Sequence, residues 1–198
     1  RAGTPVTLQN SSAANPGFVV PGTAMPSDSW AFQLVVGDGT SDSAADMVNV
    51  FAGTQFWNLA PSATVTASSQ NTNSTQLATK AVDGIADGHP GDYRREWATV
   101  DEKAGAWIRL AWGSARTVGR VVLYDRPNLD DQVLGGLLSF SDGSNINVGA
   151  LSNGGAPVEL KFPPRSVTSI TFTVTATSAT TTDVGLSEIR VYGSWPTD

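Results

Sequence analysis

Cysteine is absent from the 198 residues, so no disulfide staples the chain and no thiol does chemistry in it. Histidine occurs once, as His89 in Gly88-His-Pro-Gly, with turn formers on both sides. Base-assisted nucleophilic catalysis needs a nucleophile beside a positioned base, and neither a Gly-x-Ser-x-Gly elbow nor a His-Glu-x-x-His helix occurs. Paired-carboxylate hydrolysis is formally open, but most of the 14 Asp lie in turn sequences, where they act as Asx turns or solvated side chains. No catalytic role is expected of this chain. Lysine (3) and glutamate (4) are scarce, which argues against a coiled coil or helical bundle. No run of 18 apolar residues exists, so no membrane insertion is expected. The net charge is −6, so no nucleic-acid partner is expected of a surface that would repel phosphate.

What is abundant points one way. Twenty Ser, 21 Thr, 20 Gly and 11 Pro suit short strands joined by turns. Hydrophobic residues make up 40% of the chain, enough to bury a core. The expected fold class is all-β. The chain begins at Arg1 and reads as a mature or excised fragment. Asn10-Ser-Ser and Asn73-Ser-Thr are glycosylation sequons, and they lend slight support to a secretory route.

Two regions are expected, 1–57 and 58–195. In the first, Val6-Thr-Leu and Phe18-Val-Val are short strand signals. Ala31-Phe-Gln-Leu-Val-Val and Asp46-Met-Val-Asn-Val-Phe alternate as strands around a Gly37-Asp-Gly turn. This hairpin resembles the end of an immunoglobulin-like or polycystic-kidney-disease-type module, about half of the ~80–100 residues such a sandwich needs. In the second region, strands are expected at 64–67, 106–112, 118–124, 136–140, 146–148, 158–162, 169–176 and 186–192. Turns are expected at Asp142-Gly, Asn153-Gly-Gly and Pro163-Pro, with one short helix over Gln76–Val82.

Five segments of the second region occur in the order found in the coagulation-factor type C, or discoidin-like, family of galactose-binding-like domains. They are Asn58-Leu-Ala-Pro-Ser-Ala-Thr-Val-Thr-Ala-Ser-Ser, Lys80-Ala-Val-Asp-Gly with Glu96-Trp-Ala, Ala106-Trp-Ile-Arg-Leu-Ala-Trp, Val118-Gly-Arg-Val-Val-Leu-Tyr-Asp-Arg and Gly185-Leu-Ser-Glu-Ile-Arg-Val-Tyr-Gly. The resemblance implies a jelly-roll β-sandwich with Trp97 and Trp107 in its core. A narrower likeness rests on Asp83-Gly-Ile-Ala-Asp-Gly-His-Pro-Gly-Asp, Glu96-Trp and Leu123-Tyr-Asp-Arg-Pro-Asn. It is to modules attached to N-acetylglucosaminyl-phosphatidylinositol de-N-acetylase-like proteins, often behind an immunoglobulin-like piece.

The resemblance implies a secreted, extracellular, non-catalytic module whose partner is a glycan or polysaccharide. Sugars bind relatives at loops on one end of the sandwich, where bidentate polar groups suit vicinal hydroxyls. The loop 125–132 follows a strand and is dense in such groups, so the ligand-binding candidates are Asp125, Arg126, Asn128 and Asp131, with Tyr93 and Arg94 of the 93–97 loop alongside. The alternative for Arg126 is a structural bridge to Asp125 or Glu96. The loop 81–92 carries Asp83, Asp87 and Asp92 among glycines that let carbonyls turn inward, as a Ca2+ loop requires. The resemblance implies a structural Ca2+ held by Asp83, Glu188 and the Ala81 carbonyl, with Asp87 as a weaker candidate. The alternative is that Asp83 caps a turn and Glu188 pairs with an arginine. Leu129 is the nearest thing to a lipid spike, but its acidic neighbours disfavour an anionic bilayer. A separate reading is structural or adhesive: the incomplete strands of 1–57 recruit protein or a second copy of the chain.

Overall fold

The computed structural model describes residues 4–21, 28–51 and 57–193. Parts of the expected first region (1–3, 22–27 and 52–56) and the last two residues of the expected second (194–195) lie outside them. Contacts divide the chain into Arg1–Phe56 and Trp57–Asp198.

The first unit is built on one hairpin. Strand β1 (Ser29–Leu34) pairs antiparallel with β2 (Asp46–Phe51), Trp30 opposite Val50 and Phe32 opposite Val48. The turn chemistry is local: Asp38 Oδ1 accepts N–H bonds from Thr40 and Ser41, and Gly39 takes φ 88°. Phe18 packs on Trp30 and Phe32 at centroid distances of 5.7 and 4.8 Å, and the Trp30 indole N–H reaches the Thr4 carbonyl. Two expected strands are absent. Val6-Thr-Leu leads only to an isolated bridge between Gln9 and Gly17, and Val19 and Val20 are exposed coil. Each run is too short, and too close to a proline, to hold a ladder.

The second unit is a twisted antiparallel sandwich. Its strands are β3 (Thr64–Ala67), β4 (Trp97–Ala98), β5 (Trp107–Tyr124), β6 (Val133–Phe140), β7 (Asn145–Val148), β8 (Pro157–Thr177), β9 (Gly185–Leu186) and β10 (Glu188–Tyr192). The main sheet runs β10-β5-β8-β6-β7, with β3 beside the first half of β5, and β4 pairs β9 separately. Sequence patterning suggests four strands in 106–124 and 158–176. The structure has two long ones, because β5 and β8 continue through register shifts at Ala111/Arg116 and Val118/Arg120. The second shift lies opposite Pro163 and Pro164, which therefore sit in a bulge rather than a turn, where no ladder N–H is needed.

These shifts explain the burial pattern. Ile108, Leu110 and Trp112 alternate inward, Gly113–Thr117 are exposed, and Val118 returns to the core. At Val118/Arg120, Gly119 stands opposite Phe162, Pro163 and Pro164 of β8, and the inward positions of β5 pass from even to odd across it, so Val121 and Leu123 face the same interior as Val118. They meet Ile170, Phe172 and Val174 of β8 and Ile189 and Val191 of β10. Trp97 is wholly buried, with its indole N–H on the Ser69 carbonyl, whereas Trp107 is only half-buried. The expected helix over 76–82 is a 3-10 turn, Ala78–Val82.

Candidate functional site

Where β5 ends, the chain must cross from Tyr124 to Val133, and a buried carboxylate holds that loop shut. Asp125 accepts the Arg126 N–H on one oxygen and the Val133 N–H on the other, each at 3.0 Å. Burial pushes Asp125 up to about 7, opposed by those two N–H groups and by the Arg126 charge.

Arg126 is the hub of this end. Its Nε donates to Glu96 Oε1 at 2.9 Å, and its Nη1 donates to Asp131 Oδ2 at 3.1 Å and to the Asp183 carbonyl at 2.7 Å. Glu96 is fully buried. It also accepts the Gln76 amide at 2.6 Å and the His89 N–H at 3.0 Å. Asp131 Oδ1 accepts the Thr182 N–H at 2.7 Å, and its Oδ2 accepts the Asn128 amide at 2.8 Å. One guanidinium thus ties together segments around residues 76, 89, 96, 131 and 183. The structure realises the bridging alternative through Glu96 and Asp131; the buried Asp125 binds backbone instead.

The six expected ligand residues therefore divide. Asp125, Arg126 and Asp131 have the expected chemistry but lie in the interior, with Arg126 only 6% exposed. Asn128 is half-buried. Tyr93 and Arg94 are exposed on the 3-10 turn Tyr93–Arg95, which Asp92 caps by accepting the Arg94 N–H. Arg94 Nε also donates to Asp92 at 2.9 Å, and this bond lowers the Asp92 carboxyl below its ordinary range. The turn leads directly into Glu96, whose N–H bonds the Tyr93 carbonyl.

Sequence reading missed the residues that hold the tip of the 125–132 loop. Leu129 is 76% exposed, yet its carbonyl accepts the Asn153 amide at 3.1 Å. The Asp130 carbonyl accepts hydroxyls of Ser178 and Thr180, and the Asp130 N–H bonds Asn128 Oδ1. No local signal marks Asn153, Thr180 or Asp183 as neighbours of residue 130, since each is more than twenty positions away.

At the metal candidates, Glu188 is fully buried. Its carboxylate accepts the Gly84 N–H at 3.3 Å and Arg190 Nε at 3.3 Å. Burial pushes Glu188 up to about 7; Arg190 opposes this and the charge of Asp83 adds to it. Asp83 accepts the Ile85 N–H at 3.0 Å and faces Arg95 at 3.8 Å. The turn cap and the arginine pair both exist, and Arg190 also donates Nη2 to the Gly84 carbonyl at 3.2 Å, so one guanidinium meets both that carbonyl and Glu188. Carboxylate and carbonyl oxygens are the donors Ca2+ takes, and the Arg190 guanidinium already meets two of them here. Asp87 accepts the Gly88 N–H, and Ala81 is buried in the 3-10 turn. Among the described residues, no group of three His, Cys, Asp or Glu side chains gathers as a metal site.

Residues 58–192 match the model of a family described as a domain of unknown function, DUF7402. No curated protein matches the chain. Among solved structures, chitosan-binding module 1 of a chitosanase/glucanase from Paenibacillus sp. IK-5 is 25% identical, with a TM-score of 0.51, over 69% of this chain and 98% of that one. The lectin domain of lectinolysin, solved with Lewis B antigen, is 22% identical with a TM-score of 0.55, over 71% and 99%. The family 32 carbohydrate-binding module of C. perfringens NanJ, solved with galactose, is 17% identical with a TM-score of 0.54, over 68% and 97%. The fold of the second unit is the discoidin-like, galactose-binding-like β-sandwich of these modules.

Proposed function

The chain belongs, over residues 58–192, to the family described as a domain of unknown function, DUF7402, and from that premise we propose that it is a non-catalytic carbohydrate-binding module of an extracellular protein. The observation that carries this reading is the braced loop end. Arg126 and its acceptors fix three loops, and Asn128, Asn153 and Thr180 hold an exposed tip, on a fold shared with glycan-binding modules. Rigid loops around exposed groups lower the entropic cost of binding a flexible glycan. The contacts then fall to Tyr93, Arg94, Asn128, Leu129 and Asp130, while Asp125, Arg126 and Asp131 position them. Asp83, Glu188 and the Ala81 carbonyl would hold a structural Ca2+, with Asp87 at its margin. The ion would neutralise Glu188 and lock the 81–92 loop to β10.

A glycan array probed with the whole chain in calcium buffer tests this. Defined hits that weaken in Tyr93→Ala or Leu129→Ala are the expected result. A blank array with folded protein rejects the reading. One further observation favours a second role. The β1–β2 hairpin exposes Leu34, Val35, Val36, Met47 and Val48, and a two-stranded sheet leaves outer edges that suit pairing with another copy of the chain. Light scattering over a concentration series decides it: a constant monomer mass removes that role.

A further inference from the structure

Beside β3, a cavity of about 390 Å3 opens between this strand and the 3-10 turn Ala78–Val82. Its floor is aliphatic, from Val65, Ala67, Leu77 and Ala78. Its polar residues are Thr66, Ser69, Gln70 and Thr79, the Ser69 hydroxyl oxygen accepting the Val100 N–H at 3.1 Å, and no charged side chain lines it.

Gln70 and Thr79 keep polar groups available to a ligand. The Ser68 N–H bonds the Trp107 carbonyl, which sets the phase of the β3–β5 ladder. In that phase Thr64 and Thr66 turn their backbone groups toward β5, and Val65 and Ala67 turn theirs away. Gln70 Oε1 is taken by the Ala78 N–H at 2.9 Å, which orients the side chain and leaves its amide nitrogen without a protein partner. The Thr79 hydroxyl has no protein partner either, whereas the Thr66 side chain, opposite Arg109, lies on the other face of β3 from Val65 and Ala67.

We propose that this cavity is a second subsite that takes a neutral sugar residue, an inference that rests on the carbohydrate-binding reading above. A pyranose has an apolar C–H face and an equatorial rim of hydroxyls. The Val65, Ala67 and Leu77 surface suits the face, and the Gln70 amide, the Thr79 hydroxyl and the free strand-edge groups suit the rim. Pockets of this size that bind small molecules are mostly apolar, with a few fixed polar groups. The lack of lining charge selects against uronic acids and protonated amino sugars, because a charged group would be desolvated there with no counter-charge.

The whole chain is titrated with galactose, lactose and N-acetylglucosamine. Calorimetry follows binding, and nuclear magnetic resonance follows the Gln70 side-chain amide. The expected result is that at least one saccharide shifts the Gln70 amide, with an affinity unchanged between low and high salt. Thr79→Trp, at an exposed position lining the cavity, should weaken that binding by about tenfold or more, and Thr66→Val, on the other face of β3, should leave it unchanged. Unchanged thermal midpoints verify the fold of both variants. Tyr93→Ala should leave the Gln70 shift intact. Saccharide binding that survives Thr79→Trp with the Gln70 amide unmoved overturns the subsite and leaves the module reading standing. Binding that collapses in salt overturns it too. A wild-type chain that binds none of these sugars and is blank on the array removes both.

Discussion

Arg126 shows how one side chain can serve a surface it does not reach. Its guanidinium faces a fully buried Glu96 and a nearly buried Asp131, so its removal strands two carboxylates in the interior. Breaking one partner of a buried ionic network costs about 3–5 kcal/mol. Arg126→Ala is expected to lower the unfolding free energy by that order in urea titration. Arg126→Lys should recover only part, because an ammonium cannot copy the fork that spans Glu96, Asp131 and the Asp183 carbonyl. If Arg126→Ala abolished glycan binding with stability unchanged, Arg126 would be a contact residue after all. Two acids act through protons instead. Glu188 rises from an ordinary 4.5, and Asp125 from 3.8, to about 7 each, so the folded chain holds these protons more tightly than the unfolded chain. Their contribution to stability is complete below the unfolded values and is lost as pH climbs through about 7. In chelator, the thermal midpoint should fall between about pH 5 and about pH 8. Calcium should restore part of the loss at the upper end, and Glu188→Gln should remove both the calcium effect and part of the slope. A midpoint indifferent to calcium at every pH would count against the ion site.

At the scale of elements, the controlling devices are irregularities rather than regular strands. The shift between Val118 and Arg120 lets β5 serve the core with even positions before it and odd positions after it. The close pairing of β4 and β9 is equally demanding. A Cβ at Gly185 would run into the Trp97 carbonyl and lie 2.8 Å from Arg126 Cδ. Gly185→Ala should therefore destabilise by at least about 1–3 kcal/mol, read by denaturant titration, and loosen Arg126 as well.

At the scale of the whole molecule, the chain has two units with different stakes in stability. The sandwich holds most of the buried hydrophobic residues, whereas the first unit rests on one hairpin and the Phe18, Trp30 and Phe32 cluster. A chain of residues 57–198 is expected to keep the main unfolding transition and the calcium response of the full protein. The hairpin unit alone should show no cooperative melt, because two strands seldom bury enough to fold alone. Loss of the main transition on truncation would show that the units depend on each other.

The all-β class, β2, β3 and much of the core were legible from residue order alone, because alternation and turn formers act between near neighbours. Val118 to Tyr124 announced a strand, and Asp142-Gly announced the turn between β6 and β7, without knowledge of any partner. The family segments likewise placed Trp97 in the core before its neighbours were known. What the linear order could not carry was the merging of strands into β5 and β8, since a register shift is a relation between two strands and not a property of one. Nor could it say that Arg126 faces inward. That depends on Glu96, thirty residues earlier, and on Asp183, fifty-seven later, reaching the same interior point. The sequence supplied the kinds of group at the loop end and the two carboxylates near Gly84. Tertiary structure alone decided which are buried and braced and which meet solvent, because burial and pairing are set by segments that only the folded sheet brings together.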